Sequence, residues 1–356
     1  MKLAIDCRHI ESSGIGVYLR ECLSFFLNSA NDFILIVNNK LFGSIKEYKN
    51  AEIVHCKIKP FSIMDTFFFP RSILKKINKC DAFYSPYFNI PGGIMVPVYT
   101  TIHDIIFPDM PELCSRVGLA ARMFFYQRCF RKSEKIFTVS EFSKSRINYY
   151  SKGKKTIIVT QNAIQSAFLN NPVSLENINK KDYILFVGNI KKHKGLSCLL
   201  EAFSEAKKKG LKQILLIVGS SDNFRSKDTA VRNKLDEFKE GEVKFTGFIP
   251  NNELSRLYSE ASLLVQPSLY EGFGIPPLEA MFYGTMALIS DIPVFHEIYD
   301  GFPVVFFKSC DSQDLKEKLL SLLLNKKPAA ISLSNELLKK YSYERTAEII
   351  IKELTS

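Results

Sequence analysis

Short apolar runs rich in β-branched and aromatic residues alternate with amphipathic stretches along the whole chain. In the first half the runs are LAIDC, FILIVN, AEIVHC, AFYSP, VPVYTTIHD, KIFTVS and TIIVTQN. Helical patterns fall between several of them, notably Val17–Ala30 and Glu112 to about Ser133. A second series follows: YILFVGN, ILLIVG, VKFTGF, LLVQPS, MALIS and VVFF, again with helical patterns between. Alternation of such β-rich runs with helical patterns predicts parallel doubly wound sheets. The closing KYSYERTAEIIIKEL reads as one more amphipathic helix. Residues 163–181 lack periodicity and hold an Asn/Pro/Ser patch, so they read as a linker between two α/β halves. Two such halves facing each other would leave a cleft lined by strand C-terminal ends, where open α/β sheets bind ligands.

The length of 356 residues agrees with two domains, because a single core stops growing at about 250–300 residues. With 46% hydrophobic and 24% charged residues the chain is neither disordered nor low-complexity. The formal charge of +11 is uneven: residues 1–170 carry 23 basic and 13 acidic side chains, the remainder 25 and 24. The first half is therefore expected to meet an anionic partner. Eight scattered cysteines without a C-x-x-C spacing suit free thiols in a reducing compartment. Asp6 and Arg8 interrupt what would be the apolar part of a signal peptide, and no run reaches the ~20 apolar residues of a membrane span. A cytoplasmic protein, at most peripheral at the membrane, is expected.

The chemistry-bearing motifs sit at strand ends. In LYEGFGIPPLEAMFYG (Leu269–Gly284), Gly272 and Gly274 permit close backbone approach, and Pro276 and Pro277 suit the first turn of a helix. A helix N-terminus after a glycine loop is an anion site suited to a pyrophosphate. Glu271 and Glu279, one in the loop and one about a turn into the helix, would accept hydrogen bonds from sugar hydroxyls. In FVGNIKKHKGLSCLLEAF (Phe186–Phe203), a strand ends at Gly188, a basic loop follows, and Gly195 opens a helix. Lysine held there, Lys194 above all, can neutralise charge on a leaving phosphate. Gly14 and Gly16 lie between the first strand and the first helix, but Leu19 stands where a dinucleotide fingerprint needs a third glycine, so nicotinamide is disfavoured. His103 and Asp104 end a β-rich run. His9, His55, His193 and His296 show no metal-site spacing, and no D-x-D triplet occurs, so neither a metal nor a cofactor is expected.

Together these motifs resemble the family 4 retaining glycosyltransferases of GT-B fold, over nearly the whole chain. EGFGIPPLE looks like that family's E-x7-E signature and FVGN…KG like its phosphate-binding strand end. FTVSEFSKSRI resembles its interdomain segment, GFIPNNELSRLYSEASLLVQPS the stretch before the signature, and KYSYERTAE its closing helix. IDCRHIESSGIGVYLR with IHDIIFP is closest to bacterial mannosyltransferase-like members that build O-antigen and other surface polysaccharides. The resemblance implies that Glu271 contacts donor-sugar hydroxyls and Glu279 the ribose. It implies further that the backbone of Phe273, Gly274 and Ile275 meets sugar and pyrophosphate, and that Lys194 binds the donor phosphates. His103 would stand near the reacting carbon, and Gly16 at the phosphate and acceptor side. Asn189 stands where many members carry arginine, which shifts phosphate neutralisation toward Lys194 with His193 or Lys192. Tyr343 replaces a common tryptophan.

The expected architecture is thus α/β: a Rossmann-like acceptor domain over 1–165, a Rossmann-like nucleotide-sugar domain over 166–340, and a closing helix over 341–356 that crosses back. Catalytic roles fall to His103, Lys194 and Glu271. Substrate contacts fall to Gly14, Gly16, Asp104, Gly188, Asn189, Phe273, Gly274, Ile275 and Glu279. The expected partners are a nucleotide diphosphate sugar, a glycan or lipid-linked glycan acceptor, and an anionic inner membrane surface met by Phe61–Lys79 and by the helix carrying Arg116, Arg122, Arg128, Arg131 and Lys132. A sugar-nucleotide 2-epimerase of the same fold is the main rival, and the signature and closing helix speak against it. No nucleic-acid recognition motif is visible, and the retained glutamates argue against a dead scaffold.

Overall fold

The computed structural model describes residues 1–38, 48–171, 179–219, 229–326 and 329–356, so the central part of the linker, 172–178, lies outside the described residues. Internal contacts divide the chain into two units, Met1–Gln165 with Ser342–Ser356 and Ser166–Tyr341.

The first unit is a seven-stranded parallel sheet of order β3-β2-β1-β4-β5-β6-β7. Its strands are β1 (Lys2–Asp6), β2 (Asp32–Val37), β3 (Ala51–His55), β4 (Ala82–Ser85), β5 (Val98–Thr101), β6 (Ser133–Thr138) and β7 (Thr156–Val159). Each corresponds to one of the seven apolar runs, because most of these strands are covered on both faces and exclude polar residues from both. Ala4, Ile34, Ile36, Phe83 and Ile136 point into a core shared with Ile73, Tyr126 and Ile147 from the crossover helices. The helix Tyr343–Leu354 also belongs to this unit: Thr346 Oγ1 donates to Gln161 O at 2.7 Å, and Lys135 pairs with Glu353 at 2.6 Å.

The second unit is a six-stranded parallel sheet of order β10-β9-β8-β11-β12-β13. It comprises β8 (Lys181–Val187), β9 (Ile214–Val218), β10 (Val243–Gly247), β11 (Ala261–Gln266), β12 (Ala287–Ser290) and β13 (Val304–Phe307). Its core gathers Ile184, Phe186, Leu199, Phe203, Leu263, Val265 and Leu288. In each sheet the strand order reverses once, between β1 and β4 and between β8 and β11. The carboxyl ends of those neighbours are the usual ligand position in such sheets.

Helix boundaries differ from the sequence reading: the helix expected over Val17–Ala30 starts four residues earlier and ends three earlier, and the one expected from Glu112 starts at Arg116. The first helix spans Ser13–Leu27, with Ser12 extended before it, so Gly14 and Gly16 lie in its first turn and not in a loop ahead of it. Glycine's weak helix propensity is what moves the apparent start toward Val17. All eight cysteines are free, and five of them, Cys7, Cys22, Cys56, Cys80 and Cys129, are buried. Among the described residues no helix is long and apolar enough to cross a membrane.

Candidate active site

In the second unit the loops after β8 and β11, neighbours at the reversal point, are locked together. Gly188 follows β8, and the exposed Asn189 accepts the Lys191 N–H at 2.9 Å through its carbonyl. Lys192–Lys194 then form a 3-10 turn that ends on Gly195. His193 O accepts the Leu269 N–H at 2.8 Å, which fixes this turn to the loop after β11. Gly195 has φ +69, and a Cβ there would lie 1.8 Å from Pro267 O. Only glycine accommodates both that backbone conformation and that close approach.

The locked loops bring Lys194 to Glu271. The Nζ donates to both carboxylate oxygens, at 2.7 and 2.8 Å. Ser268 Oγ (2.8 Å) and Gln266 Nε2 (3.2 Å) also donate to Glu271 Oε1. Burial would raise the Glu271 carboxyl, but the Lys194 charge and these hydrogen bonds outweigh it, and its pKa falls below the usual carboxylate range. Glu271 is therefore an anion at neutral pH. Burial, followed by the adjacent Lys194 charge, lowers His193 to about 4, so its imidazole is neutral there.

The helix Ile275–Phe282 follows the glycine loop. Gly274 precedes it at φ +84, and its missing Cβ makes room for the Phe295 ring, whose Cε1 would otherwise be 2.3 Å away. No side chain caps the helix, and Pro276 and Pro277 remove two N–H groups from its first turn. Tyr299, buried beneath, donates to Gly274 O and is also hydrogen-bonded by the Leu278 backbone, so it braces that turn. Phe273 is buried with its ring edge-on to Tyr341 at 5.2 Å, which leaves its backbone, not its side chain, as the part able to meet a ligand. Glu279 is buried in the helix, and its Oε2 accepts from Tyr258 OH at 2.8 Å. The partners Ser268, Gln266, Tyr258 and Tyr299 were not singled out from sequence; Ser268, in the same loop as Glu271, was the one within local reach.

In the first unit, His103 follows β5, half-buried, with Nε2 3.0 Å from Pro86 O and its ring edge-on to Tyr18 at 4.9 Å. A carbonyl partner requires the proton on Nε2, so Nδ1 of the neutral ring is an acceptor. Burial lowers this histidine to about 4. Asp104 Oδ1 accepts the Ile106 N–H at 3.1 Å, and its carbonyl accepts from Tyr126 OH at 3.3 Å, so Asp104 shapes the turn after His103. Gly16 lies against the preceding loop: a Cβ would be 2.4 Å from Ile10 O, whereas one on Gly14 would meet nothing within 4 Å. The unit-2 candidates Gly188, Asn189, Lys194, Glu271, Phe273, Gly274, Ile275 and Glu279 thus share two strand-end loops and one helix. Gly14, Gly16, His103 and Asp104 stand at strand ends and a helix start of the other unit.

Residues 169–344 match the family described as glycosyl transferases group 1. The two parallel-sheet, Rossmann-like units of the chain are those of the GT-B fold. Anabaena HepE in complex with UDP and glucose superposes with TM-score 0.74 at 14% identity, over 100% of this chain and 99% of that one. Sucrose-phosphate synthase from Thermosynechococcus elongatus superposes with TM-score 0.72 at 16% identity, over 100% and 98%. Among relatives by sequence, the O-antigen chain mannosyltransferase RfbU of Salmonella typhimurium is 28% identical over 70% of this chain and 67% of its own length. The O-antigen chain mannosyltransferase B of Escherichia coli is 27% identical over 61% of this chain and 58% of its own.

Proposed function

We propose that this protein is a retaining glycosyltransferase that moves a hexose, mannose by preference, from a nucleotide diphosphate sugar to a glycan or lipid-linked glycan in surface polysaccharide synthesis. The observation that carries this reading is the Lys194–Glu271 pair beside a glycine loop and an uncapped helix N-terminus. It sets a cation, backbone N–H groups and an ionised carboxylate where a sugar diphosphate needs all three. The preference for mannose and O-antigen rests on the two O-antigen mannosyltransferase relatives.

In this reading the second unit binds the donor. Its phosphates draw Lys194 away from Glu271, whose freed carboxylate accepts hydroxyls of the sugar, while Glu279 holds the ribose. The acceptor, bound by the first unit, attacks the anomeric carbon through a hydroxyl oxygen. The bond from that carbon to the phosphate oxygen breaks on the same face, and the departing phosphate takes the hydroxyl proton. Lys194 and the N–H groups at Gly274 and Ile275 stabilise the departing diphosphate without a metal ion. His103, an acceptor at Nδ1, orients a hydroxyl near the reacting carbon. The test is transfer by the purified chain across GDP-, UDP- and dTDP-sugars with lipid-linked glycan acceptors, with product configuration read by NMR. Change of the sugar without acceptor would instead identify an epimerase, and inverted product would overturn retention.

A peripheral, anionic membrane surface as the site of the acceptor is supported by the segment Phe61–Lys79. Its short helix exposes Ile63 (72%), Phe67 (63%) and the following Phe68 (64%). Met95, 84% exposed, adjoins it through a loop in which Gly92 N–H bonds Asp65 O and Asn78 bonds Gly93 and Met95. Arg71, Lys75 and Lys79, in and just after the next helix along the chain, are also exposed, and basic with apolar residues is the composition of an interfacial anchor. The helix Arg116–Lys132 contributes less than its five basic residues suggest. Arg122 stacks on Phe107, and Arg128 donates to the carbonyls of Ile90 and Pro91, leaving Arg116, Arg131 and Lys132 at the surface.

A further inference from the structure

The first unit carries a polar and aromatic cluster at the carboxyl ends of β1 and β4, where its strand order reverses. Arg8 is buried between two carboxylates. It donates to Asp6 through Nε (2.8 Å) and Nη2 (2.6 Å), and to Asp65 through Nη1 (2.7 Å). Asn89 Nδ2 donates to the other Asp65 oxygen at 2.7 Å. Breaking such a buried pair is strongly destabilising, so the network holds the loops after β1 and β4 and the helix Ile63–Phe67 as one frame.

His9, the next residue along, rides on that frame. Its Nδ1 is 3.5 Å from Ser12 Oγ, while Nε2 is buried and has no hydrogen-bond partner among the described residues. The ring is flanked by Tyr87 at 5.1 Å and Phe61 at 6.1 Å between centroids. Phe61 in turn touches Tyr87 and Phe125 and is held at φ +61, a conformation that a bulky residue rarely adopts and that concentrates at functional sites. His9, Phe61, Tyr87 and Phe125 are all half-buried, so each keeps part of its surface at solvent. Gly16 completes the support: its missing Cβ lets the helix start press on the carbonyls of His9 and Ile10.

A histidine serving only as packing would have both ring nitrogens satisfied or solvated. A buried polar atom without a partner is destabilising, and aromatic walls around one convergent polar group are the make-up of a small-molecule site. Burial also holds His9 below the usual imidazole range, so the ring is neutral near pH 7 and can donate or accept. Nothing in the donor half of the proposed reaction uses this cluster.

We propose that His9 recognises the acceptor: its Nε2 hydrogen-bonds a hydroxyl of the acceptor sugar, whose apolar face rests on Tyr87 and Phe61. This rests on the transferase reading above and names the residue by which the first unit would select its acceptor. The experiment compares His9→Phe, which keeps ring volume without a hydrogen-bonding atom, with His9→Gln, whose amide reaches the Nε2 position. Acceptor KM is read from transfer, and donor affinity from calorimetry with the nucleotide alone. The expected result is an acceptor KM raised at least about tenfold in His9→Phe, corresponding to ~1.4 kcal/mol. His9→Gln should retain most of the acceptor affinity, and nucleotide affinity should stay unchanged in both. A packing role predicts the opposite order, with Phe tolerated and Gln harmful, and that order overturns the proposal. Tyr87→Leu gives an independent reading, since it removes the ring wall and leaves His9 in place; an unchanged acceptor KM there also counts against the proposal. If the wild-type chain transfers no sugar to any acceptor, the transferase reading itself fails. Wild-type transfer with His9→Phe at unchanged KM overturns this inference alone.

Discussion

Lys194 and Glu271 lie 77 residues apart and meet in a two-pronged ion pair, Nζ to both carboxylate oxygens at 2.7 and 2.8 Å. They meet because β8 and β11 are neighbours in the sheet and Gly195 lies flat against Pro267. Without donor each charge is the other's counter-ion. A bound diphosphate would compete for the lysine, so donor binding is expected to rearrange this pair rather than fill a preformed cationic pocket.

Lys194→Ala should lower kcat by about 10²–10³, the usual loss when one donor to a developing anion is removed. Glu271→Gln keeps the shape of the side chain but removes the negative charge, so it should retain the fold and still lose most transfer. Steady-state kinetics with a saturating acceptor, beside thermal melts, checks both. Near wild-type turnover of either variant would sink the donor-site assignment.

Gly14 and Gly16 separate packing from helix propensity two residues apart. A Cβ on Gly14 meets nothing within 4 Å, so Gly14→Ala should leave stability unchanged or raise it by up to ~1 kcal/mol. One on Gly16 would lie 2.4 Å from Ile10 O, so Gly16→Ala must shift the loop that carries His9. It should be destabilised by about 1–3 kcal/mol. Urea melts of the two variants measure the contrast, and equal stabilities would contradict it.

Tyr258→Phe leaves Glu279 Oε2 buried without its hydroxyl donor. That should cost about 1–3 kcal/mol of stability. Because Glu279 is the proposed ribose ligand, nucleotide affinity should fall as well. Calorimetry with free nucleotide tests this, and a variant that melts lower but binds nucleotide normally would restrict Tyr258 and Glu279 to a structural role.

The thirteen described strands could be read from the chain because most are covered on both faces and therefore largely apolar, and such runs stand out against amphipathic helices. The two glutamates and Lys194 were legible for a different reason, as chemistry-bearing residues beside glycines at strand ends. The groups that hold them in place were not. Tyr258 and Tyr299 are common core residue types, and what matters is which buried atom each hydroxyl reaches, a relation between distant segments that no local pattern encodes. The same holds for His9, whose surroundings come from Phe61 and Tyr87 on other loops. The first helix starts at Ser13, four residues ahead of its apolar periodicity, because two glycines weaken the pattern of its opening turn.

Acid stability should carry a signature of His103. Its folded-state pKa of about 4 lies below the ordinary value of 6.5 because burial disfavours the charged ring. Between those values the unfolded chain binds more protons than the folded one, so stability rises as pH increases from 4 to 6.5 and levels off above. His193, also lowered to about 4, adds to the same slope. His103→Gln should flatten the dependence in part. Urea midpoints at pH 4.5, 5.5 and 7 in the two proteins check it, and parallel curves would show that His103 does not titrate as described.

The exposed apolar residues of the first unit predict how it meets a surface. Ile63, Phe67 and Phe68 bury little against the protein, so replacing all three by serine should cost the fold less than ~1 kcal/mol. If they enter a lipid interface, each lost aromatic or aliphatic side chain removes roughly 1.5–3 kcal/mol of burial, and three together should abolish binding to vesicles. Arg71, Lys75 and Lys79 should make that binding stronger on anionic than on neutral lipid and weaker in salt. Sedimentation with both vesicle types, at low and high salt, separates the two contributions. Transfer to a short soluble acceptor should survive the triple substitution, because none of the three residues lies among those placed at the donor or acceptor. Equal sedimentation of wild type with anionic and neutral vesicles, or undiminished binding by the triple variant, would remove the membrane from the proposed function and leave the chemistry untouched.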